Sequence, residues 1–146
     1  MINRVFISTP ISGFSTQNDY LSYRRKVLRL IEFLRANDYE VCSEVESISS
    51  EDKYDSPAKS VKDDFESIER NEFFILLHPA RMQTSSLIEL GYACAKNRKI
   101  IAVGKKNDFP YLVIGFADYN SNARIIETED LDEAVFHRIL DALKKM

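Results

Sequence analysis

Short apolar runs alternate with longer amphipathic segments along this chain. Arg4-Val5-Phe6-Ile7-Ser8 is a β-branched and aromatic run closed by Thr9-Pro10, the pattern of a buried strand. Across residues 19–37, Leu21, Val27, Leu28, Leu30, Ile31 and Leu34 recur mostly at helical spacing, with Arg24, Arg25, Lys26 and Arg29 between them. That spacing predicts an amphipathic helix whose basic residues form a solvated face. Tyr39-Glu40-Val41-Cys42 reads as a second strand. The polar stretch 43–60 is the one compositional break, and its length suits either a lid or a mobile connection. Pro57 fits a first helical position, and Val61, Phe65 and Ile68 carry that helix to about Asn71.

Phe73-Phe74-Ile75-Leu76-Leu77 is the most apolar run and predicts a central strand. A helix follows over about residues 86–97, then Lys99-Ile100-Ile101-Ala102-Val103 as a fourth strand ended by Gly104. Residues 111–119 leave a short strand and a docked loop both open. Arg124-Ile125-Ile126 fits a fifth strand, and residues 129–145 a final helix with Leu131, Ala134, Val135, Ile139, Leu140 and Leu143 facing inward. Strands alternating with helices imply right-handed crossovers and a parallel sheet. The expected fold is therefore one α/β domain over residues 1–146, flavodoxin-like or Rossmann-like and doubly wound. Five parallel strands in the order 2-1-3-4-5 would carry helices on both faces. Such sheets bind ligands at the carboxyl ends of their strands, beside the switch point. The loops at 8–15, 43–60, 78–85 and 104–110 come to that edge.

Composition narrows the class. With 146 residues, 45% hydrophobic and 29% charged, and only four Gly and four Pro, the chain is neither disordered nor linker-rich. A net charge of −3 with both signs interspersed gives no bulk nucleic-acid signal and no attraction to an anionic membrane. No apolar run reaches the roughly 18 residues of a membrane helix, and Met1-Ile2-Asn3-Arg4 opens without a signal-peptide core. Cys42 and Cys94 lack metal-type spacing and read as reduced core thiols, so a cytoplasmic protein is expected.

Three segments offer chemistry at the expected ligand edge. Ser8-Thr9-Pro10-Ile11-Ser12-Gly13 supplies hydroxyls and backbone N–H groups, but it is not the GxGxxG dinucleotide fingerprint. It serves equally as a plain strand-to-helix turn or as a loose sugar or phosphate cradle. In the segment 78–92, Ser86-x-x-Glu89 fits a capping box. The same carboxylate, near Thr84 and Ser85 where a helix leaves the central strand, could instead face a sugar carbon. Gly91, one turn on, would allow a close approach of helix to strand or ligand. Asp64 borders the apolar stripe of its helix and is either part of a solvated acidic face or a contact to a nucleobase or ribose. His78 reads as a loop residue, with general-base catalysis the sharper alternative. His137 reads as a surface or packing residue of the final helix. No His, Cys and carboxylate set has metal-ligand spacing, and no metal or cofactor is expected.

Glu89-Leu90-Gly91-Tyr92-Ala93, followed by Lys99-Ile100-Ile101-Ala102-Val103, resembles the signature of the nucleoside 2-deoxyribosyltransferase family. Val5-Phe6-Ile7-Ser8-Thr9-Pro10 is similar to that family's first strand and loop, and Asp64-Phe65-x-x-Ile68-x-x-Asn71-Glu72 to its aspartate-bearing stretch. The resemblance covers about residues 5–103. TIR-like NAD-cleaving domains and small nucleotide N-glycosidases share the architecture and the glutamate.

The resemblance implies that Glu89 attacks the anomeric carbon of a nucleoside and that Asp64 contacts the departing base. Ser8, Thr9, Ser12, Gly13, Gln83, Ser85 and Ser86 would then cradle sugar or phosphate. The implied partner is a small nucleoside or nucleotide, and a homo-oligomer is implied because relatives complete their sites with a neighbouring subunit. Two positions depart from the pattern. Phe6 stands where the family commonly has a tyrosine, and Gln83 where the transferases carry another aspartate. A glutamine hydrogen-bonds but cannot protonate, so nucleotide hydrolysis, or a non-catalytic nucleotide-binding sensor of the same fold, fits these residues as well as transfer does.

Overall fold

The computed structural model describes residues 3–146, with only the backbone of Glu51; Met1 and Ile2, at the start of the segment read as lacking a signal core, lie outside the described residues. Five strands, β1 (Asn3–Ser8), β2 (Tyr39–Cys42), β3 (Phe73–His78), β4 (Lys99–Gly104) and β5 (Ala123–Glu127), form one sheet in the order β2-β1-β3-β4-β5. Every pairing is parallel. This is the doubly wound arrangement that the alternating pattern predicts, with the switch point between β1 and β3.

Period-two alternation divides the core between the two faces of the sheet. Val5, Ile7, Phe73, Ile75, Leu77, Ile101, Val103 and Ile126 face α1 (Gln17–Arg35) and α5 (Glu133–Lys145). Phe6, Phe74, Leu76, Ile100, Ala102 and Ala123 face α2 (Pro57–Arg70), α3 (Ser86–Ala95) and α4 (Tyr111–Tyr119). All six residues of β3 are buried, because helices cover it from both sides. Thr16 caps α1 by accepting from the Asp19 N–H, Ser56 caps α2 from Lys59, and Asp132 caps α5 from Val135. Among the described residues no helix is long and apolar enough to cross a membrane.

Several local readings change. Residues 111–119 are a helix, neither strand nor loop. Only Val113 of it is fully buried, while Tyr111, Leu112 and Tyr119 are exposed. Its apolar residues are too dense to show a helical period, which hides the helix from a pattern reading. Cys42, expected in the core, is exposed, because it ends edge strand β2 on the outward side of the pleat. His78 is the last residue of β3 and buried, not a loop residue. Its ring stacks on Phe109 (centroids 5.5 Å, 19°) and its Nε2–H donates to the Asp108 carbonyl at 3.1 Å. A Cβ at Gly91 would meet nothing within 4 Å, so no close approach explains that glycine.

Part of the polar stretch is firmly anchored. Residues Glu44–Glu46 form a 3-10 turn whose Val45 is buried, and Ile48 is buried beyond it. The hydroxyl of buried Tyr20 donates to the Ile48 carbonyl at 2.5 Å. Arg24 donates to the carbonyls of Val45 and Glu46, and Arg35 grips the Glu46 carboxylate with two nitrogens at 2.8 Å. Two of the arginines near the α1 surface thus tie this connection to the helix.

Candidate active site

A cleft of about 230 Å³ opens at the carboxyl edge of the sheet, beside the switch point. Its floor comes from the loop after β1 (Thr9, Ile11, Ser12), one wall from the start of α3 with the preceding loop (Thr84, Ser85, Ser86, Glu89), and the other from α2 and the polar stretch. That second wall brings Glu44, Tyr54, Asp55, Pro57, Ser60 and Asp64. Ser8 lies just beneath, in a small adjoining recess of about 10 Å³ that it shares with Phe6, Ser43, Glu44 and Glu89. The stretch 43–60 is therefore part of the cleft wall.

The cap reading of Glu89 does not hold. The residue before α3 is Ser85, whose side chain makes no capping bond. Thr84 takes that role instead: its Oγ1 accepts the Ser86 N–H and donates to Ser86 Oγ, both at 3.2 Å. Glu89 is thereby spared from its own helix end, and its side chain lines the cleft and the recess below it. Burial pushes the Glu89 carboxyl up to about 7; the nearby Ser8 hydroxyl pulls it down and the Glu44 charge adds to the rise. Near neutral pH its ionised and neutral forms are both well populated. Ser8 Oγ is itself fully buried and lacks a well-formed hydrogen bond within the protein.

Glu44, Asp64 and Glu89 each offer an oxygen such that all three lie within 4.8 Å of one another. Asp64, on α2, is 9% exposed. Its carboxyl is held far above the ordinary carboxylate range, first by burial, then by a hydrogen bond with Glu44 and the charges of Glu89, Glu44 and Asp63. Three acids this close in a half-buried cleft cannot all ionise. The crowding therefore makes Asp64 the acid that keeps its proton at neutral pH. Glu44 escaped sequence reasoning: it sits forty-five residues before Glu89 in a stretch that shows only polarity, and no spacing rule links the two. A carboxylate immediately beyond the second strand, at the ligand edge, was the one available signal.

The remaining sequence candidates fall in two groups. Thr9, Ser12, Ser85 and Ser86 line the cleft, and Ser8 the recess beneath it. Thr9 is buried, and its hydroxyl donates to Tyr23 at 2.9 Å. Gly13 and Gln83 are not among the lining residues. Gly13 has φ +91°, a backbone that favours glycine, and packs near Met82 and the Gln83 carbonyl, so it joins the first and third loops. The Gln83 residue is exposed. Phe6 stacks on Phe74 (5.8 Å, 19°) and borders the recess with a ring edge where a tyrosine would bring a hydroxyl. His78 lines a separate hollow of about 60 Å³ near Lys105 and Thr128, away from Glu89.

No protein-family model matches the sequence, and no curated protein is significantly similar to it. Solved structures are similar over nearly the whole chain. A CMP N-glycosidase of Clostridium botulinum, BcmB, has 24% identity and a TM-score of 0.69, the likeness covering 95% of this chain and 99% of that one. The solution structure of BlsM reaches a TM-score of 0.81 at 16% identity, covering 99% and 91%. A conserved protein from Enterococcus faecalis V583 reaches 0.65 at 14% identity, covering 99% of both chains. The chain thus shares its α/β fold with a nucleotide N-glycosidase.

Proposed function

We propose that this protein breaks the N-glycosidic bond of a nucleoside, a nucleotide or NAD by covalent catalysis at Glu89. The observation that carries this reading is the placement of Glu89 and Asp64 in one cleft with different proton affinities. An N-glycosidic bond breaks through a cation-like sugar, which a carboxylate at C1′ stabilises or captures. The departing base must also be protonated. Glu89, ionised in a good fraction of molecules near pH 7, supplies the first group, and Asp64, kept protonated, supplies the second.

Spacing favours a covalent intermediate. Paired carboxylates that activate an intervening water stand about 6.5–9.5 Å apart, and those that form a glycosyl ester about 5–5.5 Å. The Glu89 and Asp64 oxygens are within 4.8 Å, which is closer to the second range than to the first. In the first step the C1′–N bond breaks, its electron pair leaves with the base, the Asp64 proton passes to that base, and Glu89 bonds C1′. In the second step water yields a free sugar, or another base yields a new nucleoside. Ser8, Thr9, Ser12, Ser85 and Ser86 hold the sugar or its phosphate, with Gly13 and Gln83 shaping the loops behind them.

The enzyme acts in the cytoplasm as a homo-oligomer on this reading. Tyr111, Leu112 and Tyr119 on α4, the most exposed large apolar residues among those described, offer a subunit contact. Incubation with deoxynucleosides, nucleoside monophosphates and NAD, with chromatography for free base, tests the activity. A second reading, a nucleotide-binding sensor without turnover, is favoured by Phe6 in place of a tyrosine. It would give calorimetric binding of a nucleotide without base release.

A further inference from the structure

The proposed reaction needs an acid that stays protonated at neutral pH, and Gln83 cannot be one. We infer that Glu44 is a positioning residue for that step: its carboxylate accepts the hydrogen bond of Asp64 and so keeps Asp64 an acid turned to the departing base. The inference rests on the N-glycosidic reading above and assigns a role within the same cleft.

The geometry comes from three separate elements. Glu44 starts the 3-10 turn after β2, Asp64 lies at mid-helix in α2, and Glu89 lies in the first turn of α3, yet their oxygens meet within 4.8 Å. Glu44 is fixed by its surroundings. The turn that bears it is held through buried Val45 and through the grip of Arg24 and Arg35 on Val45 and Glu46. Its neighbour Ser43 is buried, with its hydroxyl donating to the Ile7 carbonyl at 2.9 Å. This is a heavily anchored location for a carboxylate in an otherwise solvent-facing stretch.

The groups that act on Asp64 are Glu44 from the turn after β2, Glu89 from α3 and Asp63 from its own helix, with Cys42 at the end of β2 also near enough to interact with it. Asp63 is engaged by Lys59 at 2.6 Å, so its charge is partly offset. Glu89 must be ionised to attack. Glu44 is then the acceptor left to hold the Asp64 proton in place. After base departure both Asp64 and Glu44 are carboxylates. When water displaces the sugar from Glu89, its oxygen bonds C1′, the ester C1′–O bond breaks with its electrons returning to Glu89, and the water proton goes back to the Asp64–Glu44 pair. The pair thus ends the cycle with the proton that it spent.

The test combines carboxyl ¹³C NMR titration of Asp64 with steady-state pH profiles of wild type, Glu44→Gln and Glu44→Asp. Removal of the negative acceptor should move the Asp64 midpoint to lower pH in Glu44→Gln. The alkaline limb of kcat should move with it, and kcat at neutral pH should fall by about 10–100-fold, with KM changed much less. Glu44→Asp should restore part of both effects, which a merely structural role would not do. An Asp64 midpoint that is the same in all three proteins overturns the inference, even if base is released. Failure of every substrate to release base would instead remove the N-glycosidic reading, while a shifted midpoint would still report the Glu44–Asp64 bond.

Discussion

Glu89 on α3 and Asp64 on α2 bring their carboxylate oxygens within 4.8 Å of each other, although twenty-five residues and the central strand separate them in the chain. The crossover through β3 makes this meeting possible. It sends α2 and α3 along the same face of the sheet, and the two helices pack side by side, with Phe65 stacked on Tyr92 at 3.8 Å. The ring pair joins the helices at the residue next to Asp64 and about one turn beyond Glu89.

Asp64→Asn should remove the proton donor while keeping the shape of the side chain. With a substrate whose base leaves poorly as an anion, kcat should fall by about 10²–10⁴-fold. With a nucleoside whose base needs no proton, such as one already cationic at the glycosidic nitrogen, the loss should be much smaller. Steady-state kinetics with the two substrates check this, and an equal loss on both would argue against an acid role.

Glu89 should also leave a mark on folding. Its carboxyl titrates near 7 in the folded protein and at an ordinary 4.5 when unfolded. Between those values the folded state binds the extra proton, so stability declines as pH rises from about 4.5 to 7 and then levels off. Glu89→Gln carries no such proton. Its melting temperature relative to wild type should therefore climb across that window, giving its largest advantage above pH 8 and the smallest below pH 4.5. Thermal denaturation by circular dichroism across pH 4–9 measures the difference.

Much of this was legible in the chain. The Phe73–Leu77 run reads as a central strand, the alternation of strands with helices implies a parallel sheet, and five such strands favour the observed order. Glu89 stood out because it lies near the expected ligand edge, and Asp64 because it borders the apolar stripe of its helix and falls in the stretch that carries the family resemblance. What escaped has physical reasons. Ser86-x-x-Glu89 is the same string whether Glu89 closes a helix or faces a cleft, and the outcome was decided by Thr84, which took the capping bond. Glu44 reaches the site through tertiary anchoring of its turn, by buried Val45, Ser43, Arg24 and Arg35. Residues 111–119 carry four large apolar side chains in a row of six, which erases the period that marks a surface helix.

Tyr20→Phe tests that anchoring. Tyr20 is 2% exposed and donates to the Ile48 carbonyl, so loss of the hydroxyl should cost about 1–3 kcal/mol in chemical denaturation. The connection that carries Glu44 should loosen, so kcat should fall in the same direction as in Glu44→Gln but by less. A variant with unaltered stability and kinetics would show that the stretch does not depend on this bond.

Gly104→Ala offers a contrast away from the cleft. A Cβ there would stand 2.4 Å from the His78 carbonyl oxygen and 3.3 Å from the Phe109 ring. The backbone of β3 or β4 would have to shift, at a cost of roughly 1–3 kcal/mol or more. Because Gly104 lines the separate hollow by His78, the folded fraction should keep wild-type kcat. Denaturant titration and active-fraction-corrected kinetics read the two effects apart.

The most direct measurement compares wild type with Glu89→Gln for release of free base from deoxynucleosides, nucleoside monophosphates and NAD. Wild type should release base from at least one of these, and Glu89→Gln should be slower by at least about 10⁴-fold while remaining folded. Base release by Glu89→Gln at the wild-type rate, or none from wild type with any of the substrates, would contradict the account.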